Sequence, residues 1–241
     1  MPDDYVTLRT CPDVHTANVM RSVLAGSGID ALIPHETFAS TFPHLLAGSG
    51  GVRILVRVVD LERAGELLQQ AEPASVLETE RLSLRQLTED DAPFILHLLN
   101  EPSFIEFIGD RGVRTLDDAR RYLQAGPLAS YEQYGFGLYL VQLRERGIPI
   151  GICGLLKRDQ LEHADIGFSL LPEFWSEGYA LEAAAAVVDY ARVTLGLGRL
   201  VAITSPHNER SARLLGKLGF AFERNIRMTP EGEELKLFGA G

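Results

Sequence analysis

The sequence predicts a mixed α/β (α+β) protein built as two units, and three observations point that way. Stretches that alternate apolar and polar residues, such as "VRILVRVV" at 52–59, recur between stretches whose apolar residues fall three and four apart. Thr88/Asp91 and Thr115/Asp118 carry the spacing of a helix-opening capping pair. The run "QQAEPASVLETE" at 69–80, with Pro73 at its centre, separates a short first unit from a longer second one.

Residues 1–72 read as strand, helix, strand, strand, helix. "YVTLRT" alternates, and Val14, Ala17, Val19, Val23 and Leu24 share roughly one helical face that Gly26 and Gly28 bring to a stop. "IDALIP" is a second strand, 35–51 is a long irregular loop, "VRILVRVV" is a third strand, and Asp60 opens the helix "LERAGELLQQ". His15, His35 and His44 are expected on the surface or in loops. Residues 73–77 are the expected linker.

The second unit, 78–241, begins with the strand "ERLSLRQL". Two capped helices follow, "TEDDAPFILHLLN" and "TLDDARRYLQ". "GFGLYLVQL" and "PIGICGLLK" flank the turn "RERGI" as a hairpin, and "HADIGFSLL" is a further strand. A long helix runs from about Gly178 to Leu195, "RLVAIT" is a strand, and "ERSARLLGKLG" is a helix stopped by Gly219. "FAFERNIRM" and "EELKLF" close the chain as a strand pair around "PEGE". Strands and helices mixed in this way surround one sheet.

Composition narrows the function. The 241 residues carry 33 acidic and 23 basic side chains, a net charge of −10, with no basic stripe, which argues against nucleic acid as a partner. An acidic surface favours cationic partners such as amines, and solubility accounts for it equally well. No run approaches the roughly 18 apolar residues of a membrane span, and the acidic start "MPDDYVTLRTC" lacks the apolar core of a signal peptide. Cys11 and Cys153 are the only cysteines, and the six histidines form no metal-binding pair. A cytoplasmic protein without a metal is expected, with no membrane partner.

Two stretches carry chemistry. In "EFWSEGYALEAAAAVV", 173–188, Gly178 stands between a strand and a strong helix. The first amides of a helix lack internal partners and its N-terminal end is electropositive, so the amides of 177–180 suit a diphosphate that approaches closely over glycine. Ser176 as a plain N-cap explains the same residues equally well. In "SPHNERSARLLGKLGF", 205–220, Asn208 and Ser211 open a second helix, where Asn208 also reads as an ordinary cap. The dinucleotide GxGxxG and nucleotide GxxxxGK[ST] loops are both absent.

Taken together, these stretches make residues 76–238 resemble the Gcn5-related N-acetyltransferase (GNAT) superfamily, in particular its branch of ribosomal-protein alanine acetyltransferases. The resemblance implies a mixed central sheet whose fourth and fifth strands, "HADIGFSLL" and "RLVAIT", splay apart to take acetyl-CoA. It implies that the amides of Glu177, Gly178, Tyr179 and Ala180 hold the diphosphate. The backbones of Phe168 and Leu170 would pair with the pantetheine arm, Asn208 would bind the pantetheine or diphosphate region, and Ser211 would lie near the sulfur. The implied reaction is acetyl transfer to a primary amine, of a small molecule or of a protein N-terminus, by direct attack.

Asp165 is the first candidate for the base, acting through water, and His163, two residues away, is the second. Where many members carry a tyrosine acid this chain has Leu215, and Ser211 is the natural substitute. That departure supports a rival expectation, a non-catalytic CoA-binding sensor. On the acceptor side, Phe104, Ile105, Phe107 and Ile108 are expected to cap the core or line a cleft, and Glu101, Glu106 and Asp110 to meet a cationic amine. Tyr131, Tyr134 and Phe136 lie near a strand edge with no assigned role. The first unit resembles a small prokaryotic family of ferredoxin-like βαββα domains described as signal-transducing. A regulatory or dimerising role, with a homodimer, is the expectation.

Overall fold

The computed structural model describes residues 4–11, 14–34, 52–71 and 74–241. The loop 35–51 with His35 and His44, residues 72–73 of the linker region and the side chain of His15 lie outside what is described. The chain divides into two compact units, Met1–Ala74 with Glu145–Ile148, and Ser75–Arg144 with Pro149–Gly241. Among the described residues no helix is long and apolar enough to cross a membrane.

The first unit runs β1 (Tyr5–Cys11), α1 (Val14–Gly26), β2 (Ala31–Leu32), β3 (Val52–Arg57) and α2 (Leu61–Ala71). Its three strands form an antiparallel sheet in the order β1-β3-β2. The alternation read in "VRILVRVV" is realised in β3, where Val52, Ile54 and Val56 join Ala17, Leu24, Ala64 and Leu68 in one core. Leu55, expected on the polar side, is buried as well.

In the second unit the strands are β4 (Ser75–Glu78), β5 (Leu82–Gln86), β6 (Leu138–Leu143), β7 (Ile148–Leu156), β8 (Ala164–Leu170), β9 (Leu200–Thr204), β10 (Ala221–Arg227) and β11 (Glu234–Ala240). They form one eight-stranded sheet in the order β10-β11-β9-β8-β7-β6-β5-β4. Between them come α3 (Ala92–Leu99), α4 (Pro102–Phe107), α5 (Leu116–Leu123), α6 (Ala129–Tyr134), α7 (Tyr179–Val193) and α8 (Glu209–Lys217). Several elements differ from the reading of the sequence: α4 and α6 are helices in stretches given none, "IDALIP" is a strand only at Ala31–Leu32, and the linker is shorter. Residues 75–77, expected in the linker, belong to β4, which pairs antiparallel with β5 as the edge of the sheet. "SVLE" is too short for its alternation to stand out, and its pairing partner is what makes it a strand.

Both capping pairs are formed: Thr88 with Asp91 ahead of α3, and Thr115 with Asp118 at α5. Helices cover both faces of the sheet. On one, Ile95, Leu98 and Leu99 of α3 and Leu123 of α5 pack with Leu138, Leu140 and Ile152 of the sheet. On the other, α7 buries Ala183, Ala184, Val187, Val188 and Ala191, a single stripe with spacings of three and four. Tyr139, between Leu138 and Leu140 on β6, meets Tyr190 of α7 edge to face, as the alternation of a strand requires.

Candidate active site

The site begins where the sheet comes apart. β8 and β9 run parallel and pair only at Ala164↔Leu200 and Asp165↔Val201. Beyond that point β8 stays paired with β7 up to Leu170, while β9 stays paired with β11 up to Thr204. The two strands therefore diverge into a V with Asp165 at its apex. A cleft of about 780 Å³ fills this gap, wholly within the second unit.

The free edge of β8 can be read from one hydrogen bond. The Leu171 amide donates to the Ile150 carbonyl at 2.9 Å, so Leu171, Ser169 and Gly167 turn their peptide groups to β7. Alternation turns those of Phe168 and Leu170 the other way, into the V. The Leu170 carbonyl is already taken, accepting from the Trp175 indole N–H at 2.7 Å. That leaves the Leu170 amide and both groups of Phe168 facing the gap.

At the open end of the V, a short helical turn, Pro172–Phe174, leads into a strained bend. Ser176 has φ 69°, a left-handed conformation that a residue with a side chain adopts at a cost, and Gly178 has φ 85°. Gly178, rather than Ser176, is the N-cap of α7, and no side chain caps that end. The first α7 amides are thus left for another partner, and Ser176, Gly178, Tyr179, Ala180 and Leu181 line the cleft. The Glu177 side chain is exposed and is not part of the lining.

Two arginines that the sequence reading missed brace this bend. Arg81 donates to the Glu177 carbonyl at 3.0 Å, pairs with Glu182 at 2.6 Å and lies over the Tyr179 ring. Arg210 donates to Ser176 Oγ at 2.8 Å and lies over the Trp175 ring. Arg81 is 96 residues from Glu177 in sequence, and no local pattern announces such a partner.

Helix α8 forms the opposite wall. Asn208 caps it, accepting from the Ser211 amide at 3.0 Å, so the reading of Asn208 as a cap is realised while its side chain also lines the cleft. Ser211 lines the cleft as well. Arg210, Arg213 and Lys217, spaced three and four apart on α8, add positive charge to that wall. That spacing was the available signal for them. Leu215 is buried within the wall, and no phenol occupies its place.

At the apex, Asp165 is 1% exposed. One carboxylate oxygen accepts from Arg158 Nε at 2.7 Å, and the other has no partner within hydrogen-bond geometry among the described residues. Burial raises the pKa to about 6, with Arg158 first and then the nearby Ile203 backbone amide pulling against it. His163 does not share this position. It lies in the bend ahead of β8, about a third exposed, and does not line the cleft. The two-residue spacing puts side chains on one face only inside a strand, and β8 starts at Ala164.

The acceptor side departs from expectation in its charge. Phe104 is in the core, whereas Phe107 and Ile108 line the cleft. Ile105 is 37% exposed. Asp110 is paired with Arg114 at 2.5 Å, and neither it nor Glu101 or Glu106 lines the cleft. Tyr131 is structural: its hydroxyl accepts from the Leu87 amide at 3.0 Å and donates to the Leu138 carbonyl. Tyr134 stacks on Phe136.

This architecture has known counterparts. Residues 81–221 match the acetyltransferase (GNAT) domain family. Over 154 residues the chain is 32% identical to the uncharacterized N-acetyltransferase YoaA of Bacillus subtilis, covering 63% of this chain and 86% of YoaA. An acetyltransferase from Agrobacterium tumefaciens superposes with a TM-score of 0.59 at 27% identity, covering 70% of this chain and 95% of its own. RimL, a ribosomal L7/L12 α-N-protein acetyltransferase solved in complex with coenzyme A, shares the fold with a TM-score of 0.60 at 18% identity, covering 69% and 97%. The splayed β8–β9 pair, the uncapped helix beyond it and these likenesses lead to one conclusion: the chain belongs to the GNAT family and is an acetyl-CoA-dependent N-acetyltransferase.

Proposed function

We propose that this protein transfers the acetyl group of acetyl-CoA directly to a primary amine in a ternary complex, with Asp165 as the base. The observation that carries the reading is the buried carboxylate that lines the cleft at the apex of the V, with one oxygen outside hydrogen-bond geometry among the described residues.

The residues present fit the donor. The uncapped α7 amides of Gly178, Tyr179 and Ala180 suit a diphosphate, and Arg210, Arg213 and Lys217 supply countercharge. Phe168 and the Leu170 amide offer the pantetheine arm a strand edge, as a neighbouring strand would find it. Asn208 and Ser211 close over the arm from α8. With the diphosphate held at the open end, an arm laid along β8 directs the acyl group toward Asp165.

Bound acetyl-CoA supplies an activated acyl carbon and a thiolate leaving group. Asp165, directly or through one water, takes the proton that the attacking amine gives up as its nitrogen bonds to the acyl carbon. As the carbon–sulfur bond breaks, the Ser211 hydroxyl donates a hydrogen bond to the departing thiolate. Holding both reactants in one cleft supplies much of the rate, since alignment is worth about 7–11 kcal/mol in favourable cases.

Initial rates measured over a grid of acetyl-CoA and amine concentrations test the direct route. Intersecting reciprocal plots are expected, because both substrates must be bound at once. Parallel plots, together with an acetylated protein isolated without amine, would replace the direct route with a covalent one.

A further inference from the structure

The charge of the cleft points past the donor. Although the chain carries a net charge of −10, the charged side chains lining the cleft are Arg111, Arg158, Arg210, Arg213 and Lys217 against Asp165 alone. The three on α8 are accounted for by phosphates. Arg111 and Arg158 are not. Arg111 stands in the connection between α4 and α5 and makes no ion pair or hydrogen bond among the described residues. Arg158 comes from the β7–β8 connection and spends only its Nε on Asp165, which leaves its terminal nitrogens without a partner among the described residues.

The two guanidiniums share a neighbourhood. Both act on the phenol of Tyr122 in α5, opposing the upward shift that burial gives it. Arg111 and Arg158 line the same cleft as a single carboxylate, so these three groups together carry one positive charge when Asp165 is ionised. A fork of N–H donors on each side matches a carboxylate in shape as well as in charge.

Resting on the acetyltransferase reading above, we infer that the acceptor is a zwitterion: its amine meets Asp165 while a carboxylate a few bonds away is bound by Arg111 and Arg158. Free amino acids and peptides with an acidic residue beside the N-terminus both carry this chemistry. A polyamine, which has no anion to offer, would bring only repulsion to the two arginines.

The test is a set of matched acceptors assayed with the full chain at saturating acetyl-CoA. One arm compares free amino acids with their amides. The other compares tripeptide amides bearing Asp, Asn or Lys at the second position. In at least one arm the carboxylate member should have a kcat/KM about tenfold or more above its neutral partner. Arg111→Gln, at an exposed and unpaired position, should shrink that ratio to about twofold or less, as loss of a charge-assisted contact requires. The arm that responds identifies the source of the carboxylate. Transfer that favours neutral or cationic members in both arms, or a preference that Arg111→Gln leaves intact, overturns the inference and leaves the acetyltransferase reading standing. No transfer to any member, with acetyl-CoA binding verified by calorimetry, overturns both.

Discussion

Arg158 holds one oxygen of Asp165 at 2.7 Å, and the other is buried outside hydrogen-bond geometry among the described residues, at the point where β8 and β9 separate. A fully paired carboxylate would be a poor base, and an unpaired one would be too costly to bury. The arrangement gives a pKa of about 6, raised by burial and opposed by Arg158 and, less, by the Ile203 amide.

It follows that kcat should rise with pH and level off above about 6, as Asp165 loses its proton. The pH profile of kcat for wild type and Asp165→Asn is the check. The variant should lack the limb near 6, and a variant profile of unchanged shape would assign that limb to another group.

The same shift is a statement about stability. Asp165 binds its proton more tightly folded than unfolded, so its contribution favours folding below about pH 4 and is lost as pH rises toward about 6. Other carboxylates, such as Asp118 with its lowered pKa, pull the opposite way, so the difference between proteins is the useful quantity. The stability of Asp165→Asn relative to wild type should increase by roughly 2–3 kcal/mol between pH 4 and pH 7. Urea unfolding at the two pH values measures it.

Gly178→Ala should injure both fold and donor site. At φ 85° an L-residue costs about 1–2 kcal/mol, and the new methyl would sit 3.3 Å from an Arg81 guanidinium nitrogen. A lower melting temperature and weaker acetyl-CoA binding by calorimetry are expected together. Normal affinity in a destabilised protein would remove the α7 amides from the donor site.

Asn208 and Ser211 should separate under mutation although they touch. Asn208→Ala removes the cap on α8 and should cost about 1 kcal/mol of stability. Ser211→Ala keeps the amide that Asn208 binds, so the melting temperature should hold while kcat falls by on the order of 10²-fold and acetyl-CoA affinity changes less. Equal losses in kcat and affinity would place Ser211 in donor binding alone.

The sequence was most informative where structure is local. The Thr88/Asp91 and Thr115/Asp118 pairs, the small-residue stripe of α7 and the glycine before it depend on spacings within one turn of helix, and each is read from neighbours alone. The strand–helix–strand–helix order that places the cleft is legible for the same reason. What escaped was decided at long range. Residues 75–77 of β4 read as linker because the pairing with β5 has no signal inside so short a stretch. Arg81 reaches Glu182 across 101 residues, and Arg158 reaches Asp165 only because the β7–β8 connection folds back. The strand periodicity that would put His163 beside Asp165 starts at Ala164, one residue too late to include it. The acidic composition suggested a cationic acceptor, yet net charge describes the whole surface, whereas five cations gather in the one cleft that matters.

The most direct test of the central claim is single-turnover acetyl transfer to an acceptor amine by wild type and Asp165→Asn, with acetyl-CoA affinity measured on the same samples. Transfer by the variant should be slower by about 10²–10⁴-fold, with donor affinity within about twofold of wild type. A variant that transfers at the wild-type rate, or a wild type that binds acetyl-CoA and transfers nothing, would contradict the account.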